Sequence, residues 1–485
     1  MDLCSVVGVL VTFVVFLCAW YIWTRRKFYM LSVSLPGPFA LPFVGNGLSV
    51  LCKSEELLSR ILALTEPYSS PMRLWLGPQL VVVVHDPDQL QTIMLSSKMT
   101  TKSFVYRYLE PFMGQGLFTC SGALHKSQRK LLQPLFGPKL LEGYSYLFQK
   151  HANIFVDRLK PYINGDKFDV LLLLHDAAFE STMDILIDDK NDHSIDLKYF
   201  PEYVRRFYHI FVQRILSFWL YPDFIYKLTG YYKEQQEMSK MCRILTEEVK
   251  DTRIPEIVNK LGKSRCNENC ETRIPSMLET MVEMVYEQPD ILTIKEFQDN
   301  MLTFVATSQD TQSSAIAFTL MMLGMHQEIQ AKVVEELKEV LGDKKHIDFN
   351  DTGKLKYMEM CLKESLRLFP LAPFLPRDVI EDSRLGIKMK WSIPTGCTVI
   401  LGVYQVHKNP ELWEKPEEFY PEHFFGRSFT ETQQYSYTNM KIMMSSILQN
   451  YAIECPGTLK DLKLMTDVSI RPIDGYMIIH KKRTL

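Results

Sequence analysis

The sequence predicts a mainly α-helical body with a minor β region, preceded by an N-terminal transmembrane helix. Three observations predict it. From Leu3 to Thr24 there is no charged residue. Most of 120–340 carries apolar residues at helical spacing, and beyond Pro370 the texture changes to short strands and turns.

The first element is the apolar run through Val6, Val11, Phe16 and Trp20. About 20 such residues in a helix span the hydrocarbon core. Tyr21 and Trp23 are placed as interfacial aromatics, and Arg25, Arg26 and Lys27 follow at once. Basic residues favour the cytoplasmic side, so residues 3–24 are expected to be an uncleaved signal anchor with a cytosolic body behind it. A cleaved signal peptide is the competing reading. Asp2 stands where its basic n-region would be, and the apolar run is longer than its usual apolar core. Residues 25–46 form the basic stop and a stiff hinge, Leu35-Pro36-Gly37-Pro38, because proline fixes φ and glycine permits turns. The body is expected over 47–485 as one fused unit without internal repeats.

Composition narrows the function classes. Apolar residues make up 46% and charged residues 23% of the 485-residue chain, which leaves no room for long disordered tracts. A formal charge of −2 excludes a strongly basic nucleic-acid-binding domain. Ten scattered cysteines fit a reducing compartment and not a disulfide framework. Cys266 and Cys270 form an isolated C-x-x-x-C, read as two free thiols in a loop, with a zinc site as the alternative.

In the body, Leu80-Val81-Val82-Val83-Val84-His85 is a buried strand between Pro78 and Pro87. Glu328–Val340 is an amphipathic helix stopped by Gly342. Asp290–Gly324 reads as one long helix, apolar nearly all round and therefore central. Thr307 to Ser314 interrupts that apolar run with eight polar residues. Hydroxyls there can bond back one turn and bend the helix, and the stretch is expected to face a cavity or ligand.

Glu364 and Arg367 share a helix face. The following run, Phe369-Pro370-Leu371-Ala372-Pro373-Phe374-Leu375-Pro376-Arg377, resembles the segment after the E-x-x-R helix of cytochromes P450. Ile393-Pro394-Thr395-Gly396 is similar to that family's I-P-x-G strand, and His407-Lys408-Asn409-Pro410 to its H-x-(D/N)-P segment. Pro416 to Phe424 resembles its P-x-x-F-x-P-E-R-F meander, and Asp310-Thr311 its oxygen-activating turn. The resemblance covers nearly the whole chain and points to the family-4-like clan, insect type.

The resemblance implies the cytochrome P450 fold, a triangular helical body plus a small β region, and a haem b cofactor. It implies monooxygenation of apolar substrates (fatty acids, hormones or foreign compounds) with O2 and electrons from NADPH-cytochrome P450 reductase, at the endoplasmic reticulum membrane. Asp310 and Thr311 would be the catalytic proton-relay pair above the haem. Glu364, Arg367 and His423 would lock the helix to the meander, with His423 replacing an arginine. Arg129 and Arg377 would pair with haem propionates, and His125 replaces the family's tryptophan beside Arg129.

One departure outweighs the others. The family's F-x-x-G-x-R-x-C-x-G loop, whose thiolate binds iron, is missing. Tyr435-Ser436-Tyr437 resembles the lead-in to that loop, and Met440-Lys441-Ile442-Met443 the middle of the helix after it. The excision is therefore expected at Thr438-Asn439, with the helix's first turns absent. Cys455 lies in a peripheral turn and Cys397 in a strand, so neither is expected to bind metal. The chain is read as an inactive form of a monooxygenase, a spliced form or a faulty gene model; a non-functional product that folds poorly is a separate reading. The alternative is a haem-free pseudoenzyme serving as a scaffold or apolar-ligand binder.

Overall fold

The structure is a computed structural model that describes residues 3–187, 200–264, 275–287, 292–385, 390–427 and 434–483. Cys266 and Cys270 lie outside the described residues. The charge-free run forms one helix, α1 (Leu3–Thr24), and α2 (Arg26–Val33) follows it. Among the described residues no helix is long and apolar enough to cross a membrane, and many α1 side chains lie outside those residues.

The minor β region is a four-stranded sheet built from β1 (Met72–Leu76), β2 (Gln79–Val84), β3 (Phe374–Asp378) and β4 (Thr398–Gly402). Its order is β1-β2-β4-β3; β2 and β4 run parallel and the other pairs antiparallel. The Leu80–Val84 run is buried on both faces, as a central, partly parallel strand should be. Pro376 cannot donate a ladder bond, and it falls on the edge strand β3.

The helical body contains α3 (Gly122–Leu132), α4 (Pro138–Leu159), α5 (Val170–Ile187), α6 (Phe200–Leu216) and α7 (Gly230–Glu248). At its centre is α8 (Ile294–Met325), about 48 Å long at 1.5 Å per residue. The helix starts at Ile294, and Asp290 lies outside the described residues. Thr293 Oγ1 accepts the Glu296 amide at 3.2 Å while the Glu296 carboxylate accepts the Thr293 amide at 2.9 Å. That reciprocal cap sets the boundary. The helix packs along α5, and Phe318 stacks on Phe369 with ring centroids 4.1 Å apart. One apolar core runs around it from Leu58 to Ile478.

After α9 (Gln327–Leu341) come α10 (Lys356–Leu368) and α11 (Gln434–Asn450). The chain then forms β5 (Tyr451–Glu454), the hairpin of β6 (Leu464–Thr466) and β7 (Ile470–Pro472), and β8 (Met477–Lys482). Both flanks of the expected excision, Tyr435–Tyr437 and Met440–Met443, lie in the one helix α11, with Thr438 and Asn439 buried inside it.

Candidate functional site

The polar midsection of α8 stays helical because its hydroxyls bond along the helix. Thr303, Thr307 and Thr311 each donate to the carbonyl four residues earlier, at 3.0, 2.7 and 2.8 Å. Thr303, Phe304, Thr307, Ser308, Thr311 and Gln312 border a cavity of about 460 Å³. That volume lies within the roughly 300–1,000 Å³ of small-molecule sites. Opposite elements contribute Phe136, Leu186, Tyr435 and Ser436.

Asp310 does not share that cavity. Adjacent helical residues point about 100° apart. Asp310 Oδ1 accepts from Arg471 Nη2 at 3.0 Å, and Oδ2 from Ser469 Oγ at 3.0 Å. His175 Nε2 lies 3.6 Å from Oδ1. Burial disfavours the carboxylate, but Arg471, His175 and Ser469 together outweigh it and hold its pKa at about 2. Asp310 thus ties α8 to the β6–β7 hairpin, and the expected catalytic pair is split between two environments.

At one end of the cavity a loop presses against α8. A Cβ on Gly116 would meet Thr303 Oγ1 at 2.3 Å, so only glycine allows this approach. The loop's Leu117 amide donates to Asn300 Oδ1 at 2.8 Å. This turns the Leu117 and Phe118 carbonyls toward Lys102, whose Nζ donates to both at 2.8 and 2.6 Å. Lys102 also bridges the backbone of Arg377. Lys102 and His125 border the cavity, and His125 feels the like charges of Lys102, Arg129 and Arg377. Among the described residues no carboxylate forms an ion pair with any of these four. Burial, reinforced by Arg377, lowers the Lys102 ammonium to about 8. Burial first, and then the three cations, push His125 below its ordinary value.

Glu364 and Arg367 form a two-point ion pair: Nε–Oε2 and Nη2–Oε1 are both 2.8 Å. Both side chains are essentially fully buried. Arg367 donates further to the carbonyls of His407, Pro416 and Glu418 at 2.7, 2.8 and 3.0 Å. Glu364 accepts the Tyr420 amide at 2.9 Å and faces His423 Nδ1 at 3.2 Å. The pair therefore fastens α10 to the 407–423 segment.

Cys455 packs on Gly324, twelve residues beyond Gln312 on α8, or about 18 Å along the helix from the cavity. Its thiol is pushed up to about 11 by burial and donates to the Met477 carbonyl at 3.2 Å. Cys397 lies buried at the start of β4, its thiol pushed up to about 12 by burial. Among the described residues no cluster of three or more His, Cys, Asp or Glu could hold a metal ion.

The family model described as Cytochrome P450 matches residues 35–480. The chain belongs to the cytochrome P450 family. It is 28% identical to "Cytochrome P450 4c3" of Drosophila melanogaster, with 94% of this chain and 90% of that protein aligned. It is 29% identical to human "Cytochrome P450 4V2" over 92% and 89%, and 26% identical to Drosophila "Cytochrome P450 4g15" over 96% of each. These relatives agree with a family-4-like cytochrome P450.

Cytochrome P450 membership implies haem, and the residues fit it in one respect only. Lys102 and His125 on the cavity wall, with Arg129 and Arg377 near enough to act on His125, suit the carboxylates at a haem edge. The axial side does not fit. Residues 425–434 read Phe-Gly-Arg-Ser-Phe-Thr-Glu-Thr-Gln-Gln and contain no Cys, His, Met or Tyr. Tyr435 borders the cavity, but burial raises its phenol well above the usual value, so it offers no phenolate.

Sequence reasoning missed Lys102, Arg471 and His175. Lys102 stands in an unremarkable Thr101-Lys102-Ser103 stretch, and Arg471 is 161 residues from Asp310. No local pattern marks either one.

Proposed function

We propose that this cytochrome P450 has lost haem-thiolate monooxygenase activity while keeping the scaffold that served it. The family reaction inserts one atom of O2 into an apolar substrate such as a fatty acid, hormone or foreign compound. Its electrons come from NADPH through the membrane reductase. The observation that carries the reading is the absence of any cysteine between Cys397 and Cys455. An unbroken α11 from Gln434 onward supports a shortening in the connection between Arg427 and Gln434, beside the excision at Thr438-Asn439 that the sequence suggests. Thr311 still faces the cavity and the Glu364–Arg367 lock is retained. A missing loop on an otherwise retained scaffold favours a folded pseudoenzyme over a collapsed product.

The chain is further proposed to be anchored in the endoplasmic reticulum membrane with its body in the cytosol. A 22-residue helix is about 33 Å long, enough for the hydrocarbon core, and basic residues follow it. Met30, Phe39, Phe43, Phe224 and Leu228 are exposed large apolar side chains. The Phe218 ring lies against Gly47 and Gly77, which brings the 218–228 stretch close to the hinge. The full chain should resist alkaline extraction from microsomes, and release of the intact chain into the supernatant would remove this part of the reading.

For activity, the purified chain is supplied with haem, NADPH, reductase and a panel of apolar substrates. No oxidised product is expected. Substrate-dependent product above the haem-free control would overturn the proposal.

A further inference from the structure

The cavity beside α8 carries an amine in an uncommon setting. Lys102 borders it together with the apolar side chains of Leu117, Phe118, Phe136, Ile185, Leu186 and Phe304. The Lys102 backbone is held at two points: its amide donates to Ser121 Oγ at 2.8 Å, and a strand-like bridge joins it to Arg377. Its Nζ is held as well, by the Leu117 and Phe118 carbonyls at 2.8 and 2.6 Å. We propose that Lys102 captures an apolar aldehyde in this cavity as a Schiff base, which makes it a covalent ligand site. This rests on the haem-free reading of the chain.

Three observations support it. A neutral amine has two N–H groups and one lone pair. The two carbonyls take both N–H groups, so the lone pair keeps the remaining tetrahedral direction, and the open space beside Lys102 is the cavity. Second, among the described residues no carboxylate holds Lys102 as an ammonium. The groups that face it are Arg377, His125, the Tyr106 ring and Cys120, whose thiol burial keeps neutral; Arg129 acts on His125. Burial and the like charge of Arg377 lower the Lys102 ammonium to about 8. Desolvation and a cationic neighbour are the two usual ways of activating a lysine as a nucleophile. About half of Lys102 is then neutral at pH 8, against well under about a hundredth of an ordinary lysine. Third, the apolar lining suits the hydrocarbon part of such a ligand and keeps water away from the bond formed.

The step is a condensation. The Lys102 lone pair adds to the aldehyde carbon, the C=O bond opens to a carbinolamine, and the nitrogen's two hydrogens leave with the oxygen as water. Nothing is oxidised or reduced, so no co-reactant is required. A protonated imine keeps one N–H, which one of the two carbonyls can still accept.

The test treats the full chain in detergent at pH 8 with n-decanal and cyanoborohydride, and locates the reduced adducts by peptide mass spectrometry. Lys102 should be modified at least about tenfold faster than any other lysine. Propanal, with little hydrocarbon to bury, should modify Lys102 at least about tenfold more slowly than decanal does. The K102R variant can still donate to both carbonyls, so it should keep its circular dichroism and lose the fast adduct. Labelling of Lys102 by fluorodinitrobenzene should rise with a midpoint near pH 8, and R377Q should move that midpoint upward. Adducts spread evenly over the lysines, an equal rate with propanal, or a Lys102 midpoint near that of an ordinary lysine would overturn the inference. A chain purified with haem, seen by its Soret band, would overturn both this inference and the haem-free reading. A haem-free chain without a Lys102 adduct would overturn this inference alone.

Discussion

Asp310 and Arg471 form a buried ion pair, Oδ1 to Nη2 at 3.0 Å, one residue along the helix from the cavity-facing Thr311. The carboxylate that the motif marks for proton relay is instead occupied in holding the β6–β7 hairpin onto α8.

The Asp310→Asn variant should therefore lose stability and not chemistry. Removing one partner of a buried pair typically costs about 3–5 kcal/mol. Urea unfolding at pH 7 checks it. Asp310's folded pKa of about 2 lies below the unfolded carboxylate value of about 3.9. Its stabilisation is complete above about pH 4 and is lost as pH falls toward 2, so the variant's stability should vary less over that range.

The α10 lock gives a graded series. Glu364→Gln and Arg367→Ala should each cost about 3–5 kcal/mol, since each strands a buried charge. His423→Ala should cost about 1.5–3 kcal/mol, the range for a hydrogen bond to a charged group. Thermal melts should place Glu364→Gln and Arg367→Ala both below His423→Ala. A neutral Arg367→Ala would contradict the geometry around its three carbonyl partners.

Thr311→Ala should be nearly silent. Its hydroxyl bonds to its own helix at 2.8 Å and its side chain faces open cavity, so stability should change by no more than about 0.5 kcal/mol. NADPH consumption with reductase should also be unchanged, because no thiolate-dependent turnover is present to lose.

The two candidate positions of the missing loop can be separated by insertion. Placing an F-x-x-G-x-R-x-C-x-G stretch between Arg427 and Gln434 should leave the fold intact and create haem-thiolate absorption. The same insertion between Thr438 and Asn439 should abolish folding. It would interrupt a buried helix turn where Asn439 donates to the Gln312 side chain. Circular dichroism and haem spectra of both proteins report the outcome.

Legibility in the sequence followed the range of the interactions. Glu364 and Arg367 are one turn apart on a helix and precede a distinctive proline-rich run, so their pairing could be read directly. The buried Leu80–Val84 strand was equally plain, because composition alone makes it a strand. The helix through 434–439 was hidden because Ser436, Thr438 and Asn439 are weak helix formers. Burial against α8 overrides their preference. Asp310's real partners come from segments more than 130 residues away on either side, and only the fold brings them together.

The most direct test of the lost thiolate is a reduced, carbon-monoxide difference spectrum of the expressed chain reconstituted with haem. The account predicts no thiolate-type Soret band. A thiolate-type band of normal intensity would contradict it.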